Sequence, residues 1–197
     1  MKNRKNYSIQ VIAGLVCVFT IISGCSGNSG QTENQMPPET SEPLCDCPCL
    51  VSVYDNQDQL AMLNEKGDTI VPAGKYAESF TDTIKTFGTV YDANKHVFIA
   101  LDLQGKEMYE VFPYDNGPDY LQEGYFRMVR ENKIGFARED GTIAIEPQFA
   151  CAYPFENGKA MVSFECTESI EFEMTKWESD EWFYIDTTGT KLNDEEK

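Results

Sequence analysis

An all-β fold, built of tandem β-hairpin repeats that form a twisted open sheet or solenoid-like array, is what this chain predicts. A partial propeller is the alternative. Three observations predict it. From Val51 onward the apolar residues fall in short alternating runs, the period of a half-buried strand. A turn of one design recurs, with Asn or Asp, two residues and then Gly. The stretch behind each turn also recurs, with turn glycines 38, 36 and 48 residues apart. A spacing in that range marks a repeat architecture. Long helical periodicity is absent.

Composition bounds the rest. The chain has 197 residues, 41% of them hydrophobic and 25% charged, a globular balance with room for one domain or two small ones. Its formal net charge is −17. Such a body is repelled by phosphate backbones, so no nucleic-acid partner is expected. The single histidine, His96, argues against His-based catalysis or metal binding.

The first element is a targeting segment, residues 1–24. Lys2, Arg4 and Lys5 precede an apolar run from Ile9 to Ile22, which closes at Ser23-Gly24-Cys25. That run is too short to span a bilayer comfortably. The order of positive charge, apolar run and small residues before a cysteine resembles a bacterial lipoprotein signal with its lipobox. The resemblance implies cleavage before Cys25 and acylation (palmitate among the chains) of Cys25. Several acyl chains would hold the protein on a membrane. Cleavage would leave 13 basic residues against 33 acidic ones, a net of −20, so lipid rather than protein would make the membrane contact. The expected location is the bacterial cell envelope. Ser26 after Cys25 is not an acidic retention signal, which favours the outer membrane over the inner in a two-membrane cell.

Residues 25–43 form a flexible tether. Ser, Gly, Asn, Gln, Glu and Pro dominate it, and such a segment cannot bury enough surface to offset chain entropy.

Residues 44–58 are a Cys-rich lead-in strand. Cys45, Cys47 and Cys49 alternate with other residues, so in an extended strand they face one side. With Cys151 and Cys166 they are the disulfide or thiol candidates. The structural reading is disulfides in an oxidising compartment, for instance from one of the three to Cys151 or Cys166. A thiol or metal site on Cys45, Cys47 and Cys49 is the alternative. An odd count of five leaves one thiol free or intermolecular. No metal or other cofactor is assigned.

Residues 59–192 are the repeat domain. Strands are expected at Gln59–Leu63, His96–Leu101 and Tyr125–Val129. Turns are expected at Asn64–Gly67, Asp102–Gly105, Arg138–Gly141 and Asp186–Gly189. Asn or Asp at the first position bonds the backbone ahead of it, and the final Gly supplies a left-handed conformation. After each of the first three comes a short apolar strand, a proline and an aromatic: Tyr76, Tyr114 and Phe149. The third copy is fullest. It runs Ile134-Gly135-Phe136-Ala137, then Gly141, then Ile145-Glu146-Pro147-Gln148-Phe149, and closes with Phe155-Glu156-Asn157-Gly158-Lys159-Ala160-Met161-Val162. This resembles the bacterial WG (KWG) repeat, with Ile134-Gly135 where Trp-Gly is usual. The resemblance implies a β-rich repeat domain, suggests binding, and brings no catalytic residues. Phe126, Val129, Phe136, Ile143, Ile145, Phe149, Phe155, Ala160 and Val162 are the expected core.

The last interval is longer by about ten residues, between Cys166 and Glu181. Ile170-Glu171-Phe172-Glu173-Met174 alternates there and predicts a hairpin extension. Trp177 and Trp182 flank Glu178-Ser179-Asp180-Glu181. Insertions in a repeat array often sit on the binding face, and exposed Trp beside carboxylates can stack on a sugar. Trp177 and Trp182 are therefore the candidate ligand-binding residues, with core aromatics beside a solvated turn as the alternative. Residues 193–197 are an acidic tail. No phosphate loop or serine elbow is present. The expectation is a monomeric, non-enzymatic, lipid-anchored binding module for protein or glycan, against a purely structural envelope component.

Overall fold

The computed structural model describes residues 48–171 and 174–193. The targeting segment, Cys25, the tether, Cys45, Cys47 and the tail after Asn193 lie outside the described residues.

The described chain is all-β, and every strand pair is antiparallel. It carries four meanders, the second and third of which are joined edge to edge in one seven-stranded sheet. The first holds β1 (Leu50–Tyr54), β2 (Leu60–Asn64) and β3 (Thr69–Val71). The pairing of Leu50 with Asn64 through Tyr54 with Leu60 carries the repeat body upstream of Gln59. Short strands β4 (Glu78–Ser79) and β5 (Thr83–Ile84) lead on. The second meander is β6 (Phe87–Asp92), β7 (Val97–Asp102) and β8 (Glu107–Val111). A small hairpin follows, β9 (Pro113–Tyr114) and β10 (Gly117–Pro118). The third is β11 (Tyr125–Arg130), β12 (Lys133–Arg138) and β13 (Ile143–Phe149). The fourth joins β14 (Cys151–Ala152), β15 (Lys159–Ser163) and β18 (Phe183–Asp186). Between β15 and β18 projects a separate hairpin, β16 (Thr167–Glu171) and β17 (Met174–Glu178). This hairpin is the surplus of the long last interval. Of the alternating run Ile170 to Met174, Ile170 and Glu171 belong to β16 and Met174 to β17, while Phe172 and Glu173 lie outside the described residues.

Three cores alternate with the four meanders. The N-terminal core sets Leu50, Leu60, Met62, Val71, Tyr76 and Ile84 against Val90, Ile99 and Leu101. The middle core joins Ala100, Tyr109 and Val111 to Phe126, Met128 and Ala137, with Phe87 stacked on Phe126 at 5.5 Å. The C-terminal core sets Ile134, Phe136, Ile145 and Phe149 against Ala152, Phe155, Ala160, Val162, Phe183 and Ile185. Strand β7 is thus buried on both faces, Ile99 and Leu101 to one core and Ala100 to the next. This is why Val97 to Leu101 reads as a continuous apolar run instead of alternating. Two expected core residues differ. Val129 and Ile143 are only half-buried. Val129 lies on the opposite face of β11 from its neighbours Phe126 and Met128, and Ile143 sits at the margin of the middle core.

The recurring turns share one geometry. In all four copies the Gly N–H donates to the carbonyl of the first turn residue, at 2.8–3.0 Å. Each of Gly67, Gly105, Gly141 and Gly189 has positive φ. Asn64, Asp102 and Asp186 accept two backbone N–H groups each through a side-chain oxygen. In the third copy Arg138 cannot do this, and Asp140 instead accepts the N–H and hydroxyl of Thr142. A fifth turn of this design joins β1 to β2. There Asp58, not Gly, takes the left-handed place, at φ 60°, and Asp55 accepts from Gln57 and Gln59.

The same glycines seat each meander on the one before it. A Cβ at Gly105 would lie 2.9 Å from Val71, and one at Gly141 would lie 2.6 Å from the Phe87 ring. Tyr109 also donates its hydroxyl to the Gly141 carbonyl at 2.6 Å. At Gly189 the neighbour is Ile145, 3.3 Å away, whereas Gly67 has nothing within 4 Å. The first copy has no described meander before it.

Candidate functional site

The site begins with a buried ion pair. Arg127 on β11 and Asp119 beside β10 have side chains only 4% and 1% exposed. The guanidinium donates from Nε and Nη2 to the two carboxylate oxygens at 2.9 and 2.7 Å, and the Arg127 backbone N–H adds a third bond at 2.8 Å. Nη1 reaches the Ala152 carbonyl at 3.2 Å. The pair thereby ties the third meander to the fourth, with every charge met by hydrogen bonds.

Aromatic rings extend from this pair in both directions. The guanidinium lies 4.3 Å from the Phe112 ring and 5.8 Å from that of Tyr114, within cation–π range. Tyr114 packs on Tyr120 at 5.1 Å. On the other side Phe112 meets Trp177 at 5.7 Å, Trp177 meets Tyr153 at 5.4 Å, and Tyr153 meets Trp182 at 5.5 Å. Six rings and one guanidinium thus form an unbroken strip. Tyr114 and Tyr120 are each 48% exposed and Tyr153 is 37% exposed. Trp177 and Trp182 are half-buried, and Trp177 also packs on the C-terminal core. The two tryptophans expected as binding residues are brought together through Tyr153, as parts of the strip's floor more than as exposed platforms.

Among the described residues, the hydroxyls of Tyr114, Tyr120 and Tyr153 and the indole N–H groups of Trp177 and Trp182 have no hydrogen-bond partner. By contrast, Tyr76 donates to Glu107 at 2.9 Å and Tyr109 to Gly141. Burial pushes both of these phenols well above the ordinary tyrosine range. Glu107 in turn is held below the usual carboxylate range, first by that Tyr76 hydroxyl and then by Lys95.

The disulfide Cys151–Cys166 braces one end of the strip. It spans 15 residues with Cα atoms 6.2 Å apart. Tyr153 follows Cys151 closely, and Trp177 stands opposite Glu168, just past Cys166. The bridge corrects the suggested pairing of either cysteine with the Cys45–Cys49 group. Cys49 is buried and itself disulfide-bonded, which takes its thiolate away from the metal reading. Among the described residues no group of three or more His, Cys, Asp or Glu converges on a metal position.

Sequence reasoning missed Tyr114, Tyr120, Tyr153, Arg127 and Asp119. Tyr114 stands in the sequence as the aromatic after the second repeat's proline, but its exposure is not written there. A second missed contact is Glu123, whose carboxylate accepts the N–H groups of Asn157 and Gly158 at 2.7 and 2.8 Å. It locks the turn before β11 onto the turn before β15.

The comparisons with curated proteins and with solved structures found no match. Residues 134–165 match the family model described as the WG containing repeat. That segment runs from β12 to just past β15 and supplies every buried residue of the C-terminal core except Phe183 and Ile185. The sequence repeat is therefore one inter-meander core, offset from the strand meander itself. Its glycine has a physical reason: a Cβ at Gly135 would lie 2.5 Å from the Ile145 carbonyl and 2.7 Å from the Pro147 nitrogen. The chain thus contains a WG repeat over residues 134–165, inside a longer array of the same local geometry.

Proposed function

We propose that this is an exported lipoprotein, anchored through acylated Cys25, whose β-repeat domain is a binding module for a protein or a glycan. The observation that supports it best is the strip from Tyr120 to Trp182, where three tyrosine rings stand exposed. Exposed, contiguous apolar surface of this kind marks interaction sites. Amphipathic rings with an apolar body and a polar tip are the residues enriched there. The disulfide supports export, since such bonds persist in oxidising compartments. The lipid anchor is supported by the order of residues before Cys25.

Two measurements test this. The mature chain should partition into a detergent phase, and Cys25→Ser should move it to the aqueous phase. The Cys25→Ser chain should also sediment with isolated envelope material of the producing bacterium. Replacing Tyr120 and Tyr153 by Ala should weaken that about tenfold, the change expected when roughly 1.4 kcal/mol of contact is lost. Equal sedimentation of the variant would favour a purely structural role.

A further inference from the structure

We infer that the strip takes an extended, uncharged glycan, laid across the rings of Tyr120, Tyr114, Phe112, Trp177, Tyr153 and Trp182. This rests on the strip being the binding surface. Three observations choose the ligand class.

The first is ring spacing. On either side of the Arg127 guanidinium, which stands between Tyr114 and Phe112, neighbouring rings touch, with centroids 5.1–5.7 Å apart in edge-to-face or tilted pairs. No slot is left between them for a proline ring or a branched side chain, which peptide-binding aromatic grooves need. A sugar's C–H face can instead lie on one exposed ring at a time, at Tyr114, Tyr120 or Tyr153.

The second is polarity. Among the described residues, no partner meets the O–H or N–H at the ring edge of Tyr114, Tyr120, Tyr153, Trp177 or Trp182. A ligand with hydroxyls spaced along an apolar face can meet rings and tips together. A purely apolar partner would bury those tips without a hydrogen bond, which is costly.

The third is charge. The cation packed among the strip's rings, Arg127, is buried and neutralised by Asp119. The Lys159 and Lys191 ammonium groups lie over Tyr184 and Phe183, outside the strip. Exposed Glu178, Asp180 and Glu181 border the Trp end, and Asp115 stands beside Tyr114. Glu178 there is paired with Lys176 at 3.2 Å, so the acids outnumber the cations along the border, and an anionic polymer would meet mostly like charge there and in the chain's overall −17.

The test is a titration of the full mature chain in detergent with four probes: cellohexaose, chitohexaose, hexagalacturonate and a decaproline peptide. At least one of the uncharged glycans should bind. Tyr120→Ala and Tyr153→Ala should each weaken it about tenfold with unchanged melting temperature, and Tyr120→Phe should weaken it less. Hexagalacturonate should bind at least tenfold more weakly than the uncharged glycan. Equal or tighter binding of hexagalacturonate overturns the inference, as does failure of both uncharged glycans. Binding of the decaproline peptide alone overturns the glycan class yet leaves the strip as a binding surface. Loss of the Tyr120/Tyr153 effect on envelope sedimentation would remove that broader reading instead.

Discussion

Arg127 and Asp119 form a two-pronged ion pair, buried where the third meander meets the fourth, and the aromatic strip is built around it. A buried pair of this kind holds geometry, and its removal exposes how much depends on it. Asp119→Ala leaves the guanidinium charged and dry, at an expected cost of about 3–5 kcal/mol. The paired change Arg127→Met with Asp119→Leu should recover most of that loss. Denaturant unfolding of the three variants checks this; equal losses in the single and the paired variant would show that the charge is not what matters.

The turn glycines separate backbone cost from packing cost. Gly67→Ala meets only the left-handed φ of 86° and open space, so it should cost about 1–2 kcal/mol. Gly141→Ala meets a similar φ and also the Phe87 ring at 2.6 Å, adding about 1–3 kcal/mol of overpacking. Gly135→Ala should be at least as harmful as Gly141→Ala, because its neighbours are backbone atoms of β13 that cannot swing away. Melting temperatures of the three variants give the order directly.

Much of this was legible because it is local. Turn chemistry at Asn64, Asp102 and Asp186 depends on residues within one turn, and the strands are set by alternation. Asp140 in place of the usual first residue, and Asp58 in place of Gly, preserve the turn by other means and escape a pattern search. The strip is different. Tyr120, Phe112, Tyr153 and Trp177 come from four separate segments, and only the seating of one meander on the next brings them together. Exposure of Tyr153 and half-burial of Val129 are likewise set by packing between meanders, which spacing along the chain does not encode.

Acid should loosen the turns. The Asp140 and Asp186 carboxyls lie below their ordinary range, first because the Thr142 and Thr188 hydroxyls donate to them and then through backbone N–H bonds. Glu107 is lowered as well, first by Tyr76. A carboxyl lowered in the folded state stabilises above its unfolded value near 4 and loses that contribution as pH falls through its folded value. Melting temperature should therefore drop from pH 4 downward. The double variant Asp140→Asn/Asp186→Asn should melt lower at pH 6 with a shallower fall in acid. Parallel curves would assign the acid sensitivity elsewhere.

Reduction should loosen the Trp-bearing end. A bridge closing a loop of this length contributes about 3 kcal/mol. Cys151→Ser/Cys166→Ser should lower stability by that order. Tryptophan emission should shift to the red as the β16–β17 hairpin loses its brace. A stability loss without a spectral shift would mean that the strip keeps its form without the disulfide.

Trp177 and Trp182 are the only two tryptophans of the chain, and both belong to the strip. Intrinsic tryptophan emission therefore reports on the proposed binding surface without a label. The most direct measurement is that emission as solubilised envelope material is titrated into the mature chain. A saturable change that disappears in Tyr120→Ala/Tyr153→Ala is the expected result. Co-sedimentation with envelope material while the emission stays unchanged would place the contact elsewhere and contradict the account.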